Sequence, residues 1–409
     1  MDRNNKGRLG VSLAALCCSG AVLAACSSAT TSSSAPGSSA TVSSSSPSSA
    51  ATSKKPIVIG VAVGLTGYLA ADDVPFSHGV ELAAKYMNSH GGMDGHKVVL
   101  HVVDMQSNAA TGVTAMTQLI DQSSIDAAIG GSVSAATAAY APLLARSSVP
   151  MIAASVLPAD DQWQFSTLQP TSETDAIDLG FVASKLHLKS IGVVYSQTPY
   201  GEQASKGMAA AAAKDGISVL STQAAQTNAT DLTPQLQKIQ SSGAQAIIDI
   251  LTGPVHLVEA KSAANLGLKI PIVMGQDTRQ IFEESTAAYA NTYWTGLGAQ
   301  VYPYNSNASI KAANAAFLPV YRAAYGSQSG IGNAARGWDS MQILAQAVKA
   351  SGAVTGATLR NALQKVTYTG TETQYAYTAS DHSGQLHVSN PLGIGQYHGS
   401  SYKIVYQGS

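Results

Sequence analysis

The chain has 409 residues, of which 45% are apolar and 11% charged, and this length is enough for two ordinary domains. Its 23 basic and 24 acidic side chains give a net charge of −1, so no bulk positive field is available to attract nucleic acid. The three cysteines all lie within the first 26 residues, which excludes a disulfide, a zinc cluster or a thiol nucleophile in the rest of the chain.

Residues 1–25 have the pattern of an export signal, because three basic residues precede an uncharged apolar run that is short for a membrane span. The run ends in Leu-Ala-Ala-Cys at residues 23–26, which resembles the lipobox of bacterial lipoproteins. Cys26 would then be the lipidated first residue of the mature protein. The alternative is a plain signal peptide that is cut elsewhere. Residues 26–54 are mostly small and polar, so they predict a flexible tether without a fold of its own.

From Ile57 onward, short β-branched runs alternate with amphipathic segments, which is the pattern of a parallel sheet covered on both faces. The first unit has predicted strands at residues 57–63, 97–104, 126–131 and 149–155. A helix between the first two carries its apolar residues at i, i+3, i+4 and i+7, ending in Met87. The alternation pauses over residues 165–170 and restarts with predicted strands at 190–196, 217–223, 244–251 and 270–276.

The fold class predicted from this pattern is α/β, with two Rossmann-like lobes. From about Tyr302 the chain holds a further helix with Met341, Leu344 and Val348 on one face, then a tail that ends in a strand-like run at 402–407. We assign residues 55–172 with about 302–380 to the first lobe. Residues 173–301 with about 381–409 are assigned to the second lobe.

The sequence lacks the motifs of catalysis and of cofactor or metal binding. Gly60, Gly64 and Gly67 follow the first strand, but their spacing is neither the dinucleotide fingerprint nor a P-loop. No Gly-x-Ser-x-Gly elbow is present, and the segment from His256 to Glu259 lacks the second histidine of a zinc helix. The nine histidines are scattered singly and are predicted to lie at the surface. We therefore expect no catalytic residue, no cofactor and no metal.

Ligands of open α/β sheets bind beyond the carboxyl ends of the strands, so polar residues just after strands are the candidate site. Ser134 begins a helix after the strand at 126–131 and offers a hydroxyl beside free helix-start N–H groups, which suits an anionic oxygen. Its alternative role is that of a helix cap. Ser155 ends the next strand and could add a hydroxyl or a carbonyl, or be an ordinary loop serine.

Two further candidates follow strands of the second unit. Tyr200 comes after the strand at 190–196, and its ring could cover a cleft or pack in the lobe. Asp277 follows the strand at 270–276, and its carboxylate could balance an ammonium group or cap the next helix.

With these residues in place, the chain from about Pro56 to its end resembles the branched-chain amino-acid binding proteins of ABC importers, the Leu/Ile/Val-type periplasmic-binding family. The resemblance covers nearly all of the folded body. Its marks, in chain order, are Ile59-Gly60-Val61, Leu65-Thr66-Gly67, Gly79 with Glu81-Leu82-Ala83, Asn88 with Gly91-Gly92, Gly95 with Lys97-Val98, Asp104, Val149-Pro150-Met151-Ile152, Tyr200-Gly201-Glu202 and Asp231-Leu232-Thr233.

This resemblance implies the type I periplasmic-binding fold: two lobes joined by a three-strand hinge, with the ligand held in the cleft between them. Ser134 matches the family serine that holds the ligand carboxylate, and Tyr200 matches a cleft tyrosine. Asp277 matches the acidic residue that meets the ligand amine, and Thr252 matches a lining position.

Two positions depart from the family pattern. Leu157 stands where amino-acid-binding members usually carry a threonine or serine, and Asp72 falls where an aromatic residue often covers the ligand. The lost hydroxyl and the extra carboxylate favour an amide, a polyamine-like cation or another small nitrogenous compound over a standard branched-chain amino acid.

Together these observations predict an exported, lipid-anchored solute receptor that is not an enzyme and delivers a small molecule to an ABC permease. Its expected location is extracytoplasmic, at the cell membrane, and nucleic acid is not expected as a partner. The first alternative is a lipid-anchored ligand sensor that reports to a signalling or regulatory protein, because a fold does not determine a function. The second alternative, an extracytoplasmic enzyme, is disfavoured by the missing motifs.

Overall fold

The computed structural model describes residues 54–168, 171–275, 277, 279–296, 298–302, 307–326, 330–384, 392–398 and 401–407. The predicted signal segment, the lipidation site at Cys26 and residues 27–53 of the tether lie outside the described residues. Among the residues that are described, no helix combines the length and the apolar character needed to cross a membrane.

The first lobe contains a parallel sheet of five strands in the order β2-β1-β3-β4-β5. Its strands are β1 (Lys54–Val63), β2 (His96–Asp104), β3 (Ala127–Gly130), β4 (Met151–Ala153) and β5 (Gln164–Ser166). In β1, Ile59 and Val61 face one core and Ala62 faces the other, because side chains alternate along a strand. Burial on both faces explains why residues 57–63 of this strand include no polar side chain, whereas its first three residues are exposed.

Helices cover both faces of this sheet. They are α1 (Ala70–Ser89), α2 (Ala109–Ser123) and α3 (Ser134–Ser147). The observed α2 and α3 lie within one residue of two alanine-rich segments of the sequence, residues 109–122 and 135–146, and α1 contains the predicted apolar stripe.

The second lobe contains a seven-stranded sheet in the order β14-β13-β10-β9-β8-β6-β7, and the two-stranded β11-β12 ribbon stands apart from both sheets. The strands are β6 (Ser190–Ser196), β7 (Ser218–Ala225), β8 (Ala246–Ile250), β9 (Ile272–Met274), β10 (Thr292–Gly296), β11 (Thr367–Thr369), β12 (Gln374–Ala376), β13 (Gly393–His398) and β14 (Ser401–Tyr406). Strands β6 to β10 run parallel, whereas β13 pairs antiparallel with β10 and with β14.

The remaining helices belong to both lobes. They are α4 (Thr171–Gly180), which continues into a π-helical turn (Phe181–Lys185), then α5 (Pro199–Lys214), α6 (Thr233–Ser241), α7 (Val255–Leu266), α8 (Arg279–Ala288), α9 (Gly298–Val301), α10 (Ala308–Tyr325), α11 (Ile331–Ser351) and α12 (Gly356–Leu363). Phe317 of α10, Met341 of α11 and Leu359 of α12 are buried in the core of the first sheet.

The order of elements along the chain takes it between the lobes three times. It leaves the first sheet after β5, returns to the first core after β10 and joins the second sheet again at β13. The prediction of an α/β fold with two lobes is confirmed, and the exact lobe boundaries stay a prediction.

The predicted pause over residues 165–170 was wrong in part, because β5 begins at Gln164 and forms the edge of the first sheet. A strand of three residues is too short to show the periodicity on which the prediction depended. For the same reason the ribbon of β11 and β12 gave no signal in the sequence.

Candidate ligand-binding site

A cavity of about 290 Å³ opens at the carboxyl ends of both sheets. The first lobe contributes loop residues that follow β1, β2, β3 and β4, and the second lobe contributes residues that follow β6, β7 and β8. Helix α11 adds side chains of its first two turns. The polar lining residues that bear on ligand binding are Tyr68, Asp72, Ser107, Asn108, Ser132, Ser134, Gln197, Thr198, Tyr200, Thr227, Thr252, Asn333 and Arg336.

Ser134 lies at the start of α3, on the cavity wall. The structure places Val133, not Ser134, at the cap position, and no side chain caps this helix. The Ser134 hydroxyl accepts a hydrogen bond from the N–H of Val156 at 3.1 Å, which ties the ends of β3 and β4 together. The start of α3 therefore borders the cavity, and no side chain caps its first N–H groups.

Asp73 holds two of the cavity loops in place. Its Oδ2 accepts the N–H of Gly64 at 2.7 Å and its Oδ1 accepts the N–H of Ser132 at 2.8 Å, so it joins the loops after β1 and β3. Burial raises the pKa of Asp73 to about 6, and these hydrogen bonds oppose the rise. A Cβ at position 131 would lie 2.2 Å from Oδ2, so Gly131 is required for this approach. No pattern in the sequence predicted this role of Asp73.

Asp72 lines the cavity beside two residues of α11 that the sequence analysis also missed. Asn333 Nδ2 donates to Asp72 Oδ1 at 2.8 Å, and Arg336 Nη1 reaches Asn333 Oδ1 at 3.4 Å. Burial, and then the charge of Asp277, raise the pKa of Asp72 well above its usual range. Arg336 is the only basic residue in α11 before Lys349 and is 5% exposed, and a basic residue within this largely apolar helix was the available signal.

Tyr200 and Thr252 line the second-lobe wall. Thr198 caps α5 by accepting the N–H of Gly201 at 3.1 Å, and this cap fixes the first turn that carries Tyr200. Burial, and then Asp175, raise the pKa of the half-buried Tyr200 to about 12. Thr252 Oγ1 donates to Ser196 Oγ at 3.1 Å.

Ser155 lies behind the cavity wall rather than on it. Its side chain is fully buried, its Oγ is 2.6 Å from Thr137 Oγ1, and its carbonyl accepts the Ser166 hydroxyl at 2.9 Å. The neighbouring Ala154 lines the cavity in its place. A direct contact between Ser155 and a ligand stays a prediction.

Asp277 also lies behind the wall, in a buried group with His256 and Asp249. His256 Nδ1 is 2.7 Å from Asp249 Oδ2, and its Nε2 is 3.4 Å from Asp277 Oδ2. Burial lowers the pKa of His256, but Asp249 and Asp277 outweigh it and raise the pKa to about 9. His256 therefore carries a positive charge between two carboxylates at neutral pH.

The prediction that the histidines lie at the surface was wrong for three of them. His256 is fully buried, and His96 and His382 are nearly so. The positions of the histidines in the sequence did not reveal their partners. Asp249, for example, contacts His256 from β8, a different element of the lobe. Among the described residues no cluster of three or more His, Cys, Asp or Glu could hold a metal ion.

The sequence model of the periplasmic binding protein family matches residues 56–396. The chain belongs to this family. It is 24% identical over 311 residues to "Leu/Ile/Val-binding protein homolog 8" of Brucella abortus, a match that covers 72% of this chain and 76% of that protein. The predicted resemblance to Leu/Ile/Val-type binding proteins is confirmed.

Two solved structures show the same fold. The branched-chain amino acid transporter substrate binding protein LivJ of Streptococcus pneumoniae, in complex with isoleucine, aligns with a TM-score of 0.69 at 22% identity, over 86% of this chain and 100% of that one. A solute binding protein of an ABC transporter of Rhodopseudomonas palustris, in complex with benzoate, aligns with a TM-score of 0.69 at 19% identity, over 86% and 96%. At the level of the family, the relatives are solute-binding proteins rather than enzymes.

Proposed function

We propose that this protein is the extracytoplasmic solute-binding component of an ABC importer, held at the membrane by a lipid on Cys26. The observation that carries the proposal is the cavity between the carboxyl ends of the parallel strands of both sheets, with polar side chains from both lobes on its walls. Its ligand is an amino acid or a related small nitrogenous solute, and a permease of the importer is its partner.

The first-lobe wall is suited to an anionic group of this solute. The hydroxyl of Ser134, the N–H groups at the start of α3 and the guanidinium of Arg336 all border the cavity. The isoleucine and benzoate bound by the two relatives each carry one carboxylate. We propose that Ser134 and Arg336 hold a ligand carboxylate here.

The second-lobe wall is proposed to complete the enclosure. Tyr200 and Thr252 border the same cavity, and Asp277 acts from behind it through the charged group that includes His256. Transport by such a receptor requires that the closed form bind the solute more tightly than the open form, because a solute that binds both equally cannot shift their populations.

The test is a ligand screen followed by a closure measurement. The mature chain with Cys26→Ser is screened by thermal shift against amino acids, amides, amines, carboxylates and sugars, since a ligand at about 100 times its Kd adds about 2.7 kcal/mol to stability. A solute that raises Tm should also reduce the radius of gyration in X-ray scattering, and deletion of the gene should reduce its uptake by cells.

Two outcomes would contradict parts of this proposal. Binding without any compaction would argue against closure of the lobes as the mechanism. Binding and compaction with unchanged uptake would favour the ligand-sensor alternative. The anchor is tested separately, because Cys26→Ser should move the protein from the membrane fraction to the soluble fraction.

A further inference from the structure

A second, much smaller cavity lies behind Tyr200, inside the second lobe. We refer to it as the acidic recess, and it is lined by Thr174, Asp175, Asp178, Tyr200, Ala204, Met208, Asp249, Ile250, Gly275 and Thr295. Its volume is about 20 Å³, which is room for one water-sized group. Tyr200 lines both this recess and the main cavity, so this one residue borders both spaces.

The three carboxylates of the acidic recess have different partners. Asp249 is satisfied, because it pairs with His256 and accepts the N–H of Leu251 at 2.6 Å. Asp178 accepts one hydrogen bond, from the hydroxyl of Thr295. Asp175 is 3% exposed and accepts no hydrogen bond within the described part of the chain.

No lysine or arginine among the described residues forms an ion pair with Asp175 or Asp178. Burial alone raises the pKa of Asp175 to about 7, and burial followed by neighbouring carboxylates raises that of Asp178 well above its usual range. A buried carboxylate without a partner is unfavourable whether it is ionised or protonated, since the neutral acid also leaves a donor and an acceptor unpaired. The carboxylates that line the recess can therefore be stabilised by a group that donates hydrogen bonds or carries a positive charge.

We propose that the acidic recess binds a primary ammonium group of the transported solute, the rest of which lies in the main cavity. An ammonium group has three N–H donors and the size of a water molecule, so it matches both the volume of the recess and the missing partner of Asp175. A guanidinium or a trimethylammonium group exceeds that volume. The proposal rests on the function proposed above.

The main cavity defines the other end of this solute. Ser134 and Arg336 border the main cavity on the first-lobe side, whereas the recess begins beyond Tyr200 on the second-lobe side. A solute that fills both carries its carboxylate and its ammonium group at opposite ends of a short carbon chain. This arrangement identifies ω-amino acids as the ligand class, in preference to α-amino acids, whose two charged groups share one carbon.

The experiment uses the mature chain with Cys26→Ser and measures Kd by calorimetry at pH 7.5. The probes are 4-aminobutanoate, 5-aminopentanoate and 6-aminohexanoate, their counterparts without the amino group, leucine, and ammonium chloride. Each is measured with the wild-type sequence, with Asp175→Asn, with Asp178→Asn and with the control Asp215→Asn, which removes an exposed carboxylate from the same lobe.

We expect at least one ω-amino acid to bind, and its counterpart without the amino group to bind at least 100-fold more weakly. Asp175→Asn should weaken the ω-amino acid at least tenfold and leave the counterpart unchanged, whereas Asp215→Asn should change neither by more than about twofold. The proposal would be overturned if ammonium chloride bound with the same dependence on Asp175 while no ω-amino acid bound. The recess would then be a site for the ammonium ion itself.

Two other outcomes would also overturn it. One is an ω-amino acid that binds equally well to the wild type, Asp175→Asn and Asp178→Asn. The other is the absence of binding by any ω-amino acid. If leucine bound in either case, the proposed function as a solute receptor would still be supported, and only the proposed role of the acidic recess would be refuted. Loss of uptake on gene deletion tests that function independently of the recess.

Discussion

Replacing Asp175 with asparagine is predicted to stabilise the unliganded protein by an amount that grows with pH. Burial raises the pKa of Asp175 from its ordinary 3.8 to about 7. Because the folded protein binds this proton more tightly than the unfolded chain, ionisation of Asp175 opposes folding. The penalty is absent below about pH 4, increases as the pH rises, and is fully present above about pH 7.

The size of the effect follows from the two pKa values. The difference between 3.8 and about 7 corresponds to about 4 kcal/mol of unfolding free energy when Asp175 is fully ionised in both states. Between pH 5 and pH 8 the penalty grows by about 2.5 kcal/mol on the same arithmetic. Asparagine cannot ionise, so the advantage of the Asp175→Asn variant should increase by about that amount across this pH range.

The measurement is urea-induced unfolding of the wild type and of Asp175→Asn at pH 5, 6, 7 and 8, with Asp215→Asn as the control for loss of a carboxylate at the surface. The free-energy difference between two proteins is compared at each pH, so titrations that they share cancel. A difference that stays constant from pH 5 to pH 8 would refute the reasoning, because Asp175 would then titrate as it does in water.

Three further predictions concern the packing of the first lobe, the charged histidine and the cavity wall. Gly79→Ala should lower the free energy of unfolding by about 3 kcal/mol, because the new Cβ would lie 1.8 Å from the carbonyl oxygen of Ala334 on α11. His256→Gln should remove a pH dependence: the pKa of His256 rises from 6.5 to about 9 on folding, so its contribution of about 3 kcal/mol is present below pH 6.5 and lost as the pH rises through 9. Ser134→Ala should weaken the solute found in the screen about tenfold, because one hydrogen bond to a charged group is lost.

Each of these predictions has an outcome that would contradict it. Lys85→Ala, on the exposed face of α1, is the control for Gly79→Ala and should change the free energy of unfolding little. If Gly79→Ala changed the free energy of unfolding as little as Lys85→Ala does, α1 and α11 could separate at low cost. The wild type should lose stability between pH 7 and pH 10 more steeply than His256→Gln, and parallel curves would mean that His256 is neutral. An unchanged Kd for Ser134→Ala would remove this hydroxyl from the site.

The strands that come first along the chain in each lobe could be predicted because their apolar sequences indicate that they are buried. The strand at 190–196 was predicted with its observed bounds, and β1 was found although it begins three residues earlier, at Lys54. Parallel strands buried on both faces are apolar without interruption, which is visible in a single sequence. Strands β10 and β13 were missed, and β13 pairs with a strand far earlier in the chain, so its burial depends on the tertiary fold.

The site could be predicted as far as the strand-end rule reaches. That rule predicted that Ser134 and Tyr200 lie close to the carboxyl ends of the strands. In the structure both residues line the same cavity, Ser134 from the first lobe and Tyr200 from the second. Arg336 and Asn333 were missed because they lie in a helix that joins the first lobe only after the chain has crossed between the lobes twice. Asp175 was missed because its burial beside Asp178 and Asp249 depends on how α4 packs in the second lobe. The spacing of residues in the sequence does not show this packing.

Adjacent aspartates of α1 illustrate how the fold assigns different chemistry to the same residue type. Asp73 is fixed by two backbone N–H groups and acts as a joint between loops, whereas Asp72 faces the cavity and the second-lobe group of Asp277 and His256. Burial, and then Asp277, raise the pKa of Asp72 well above its usual range, which favours the protonated form of this carboxyl group. A neutral acid donates a hydrogen bond instead of repelling an anion. In its protonated form Asp72 is compatible with the ligand carboxylate that we propose Ser134 and Arg336 hold, and the acidic recess is the proposed site for the cationic end of the solute.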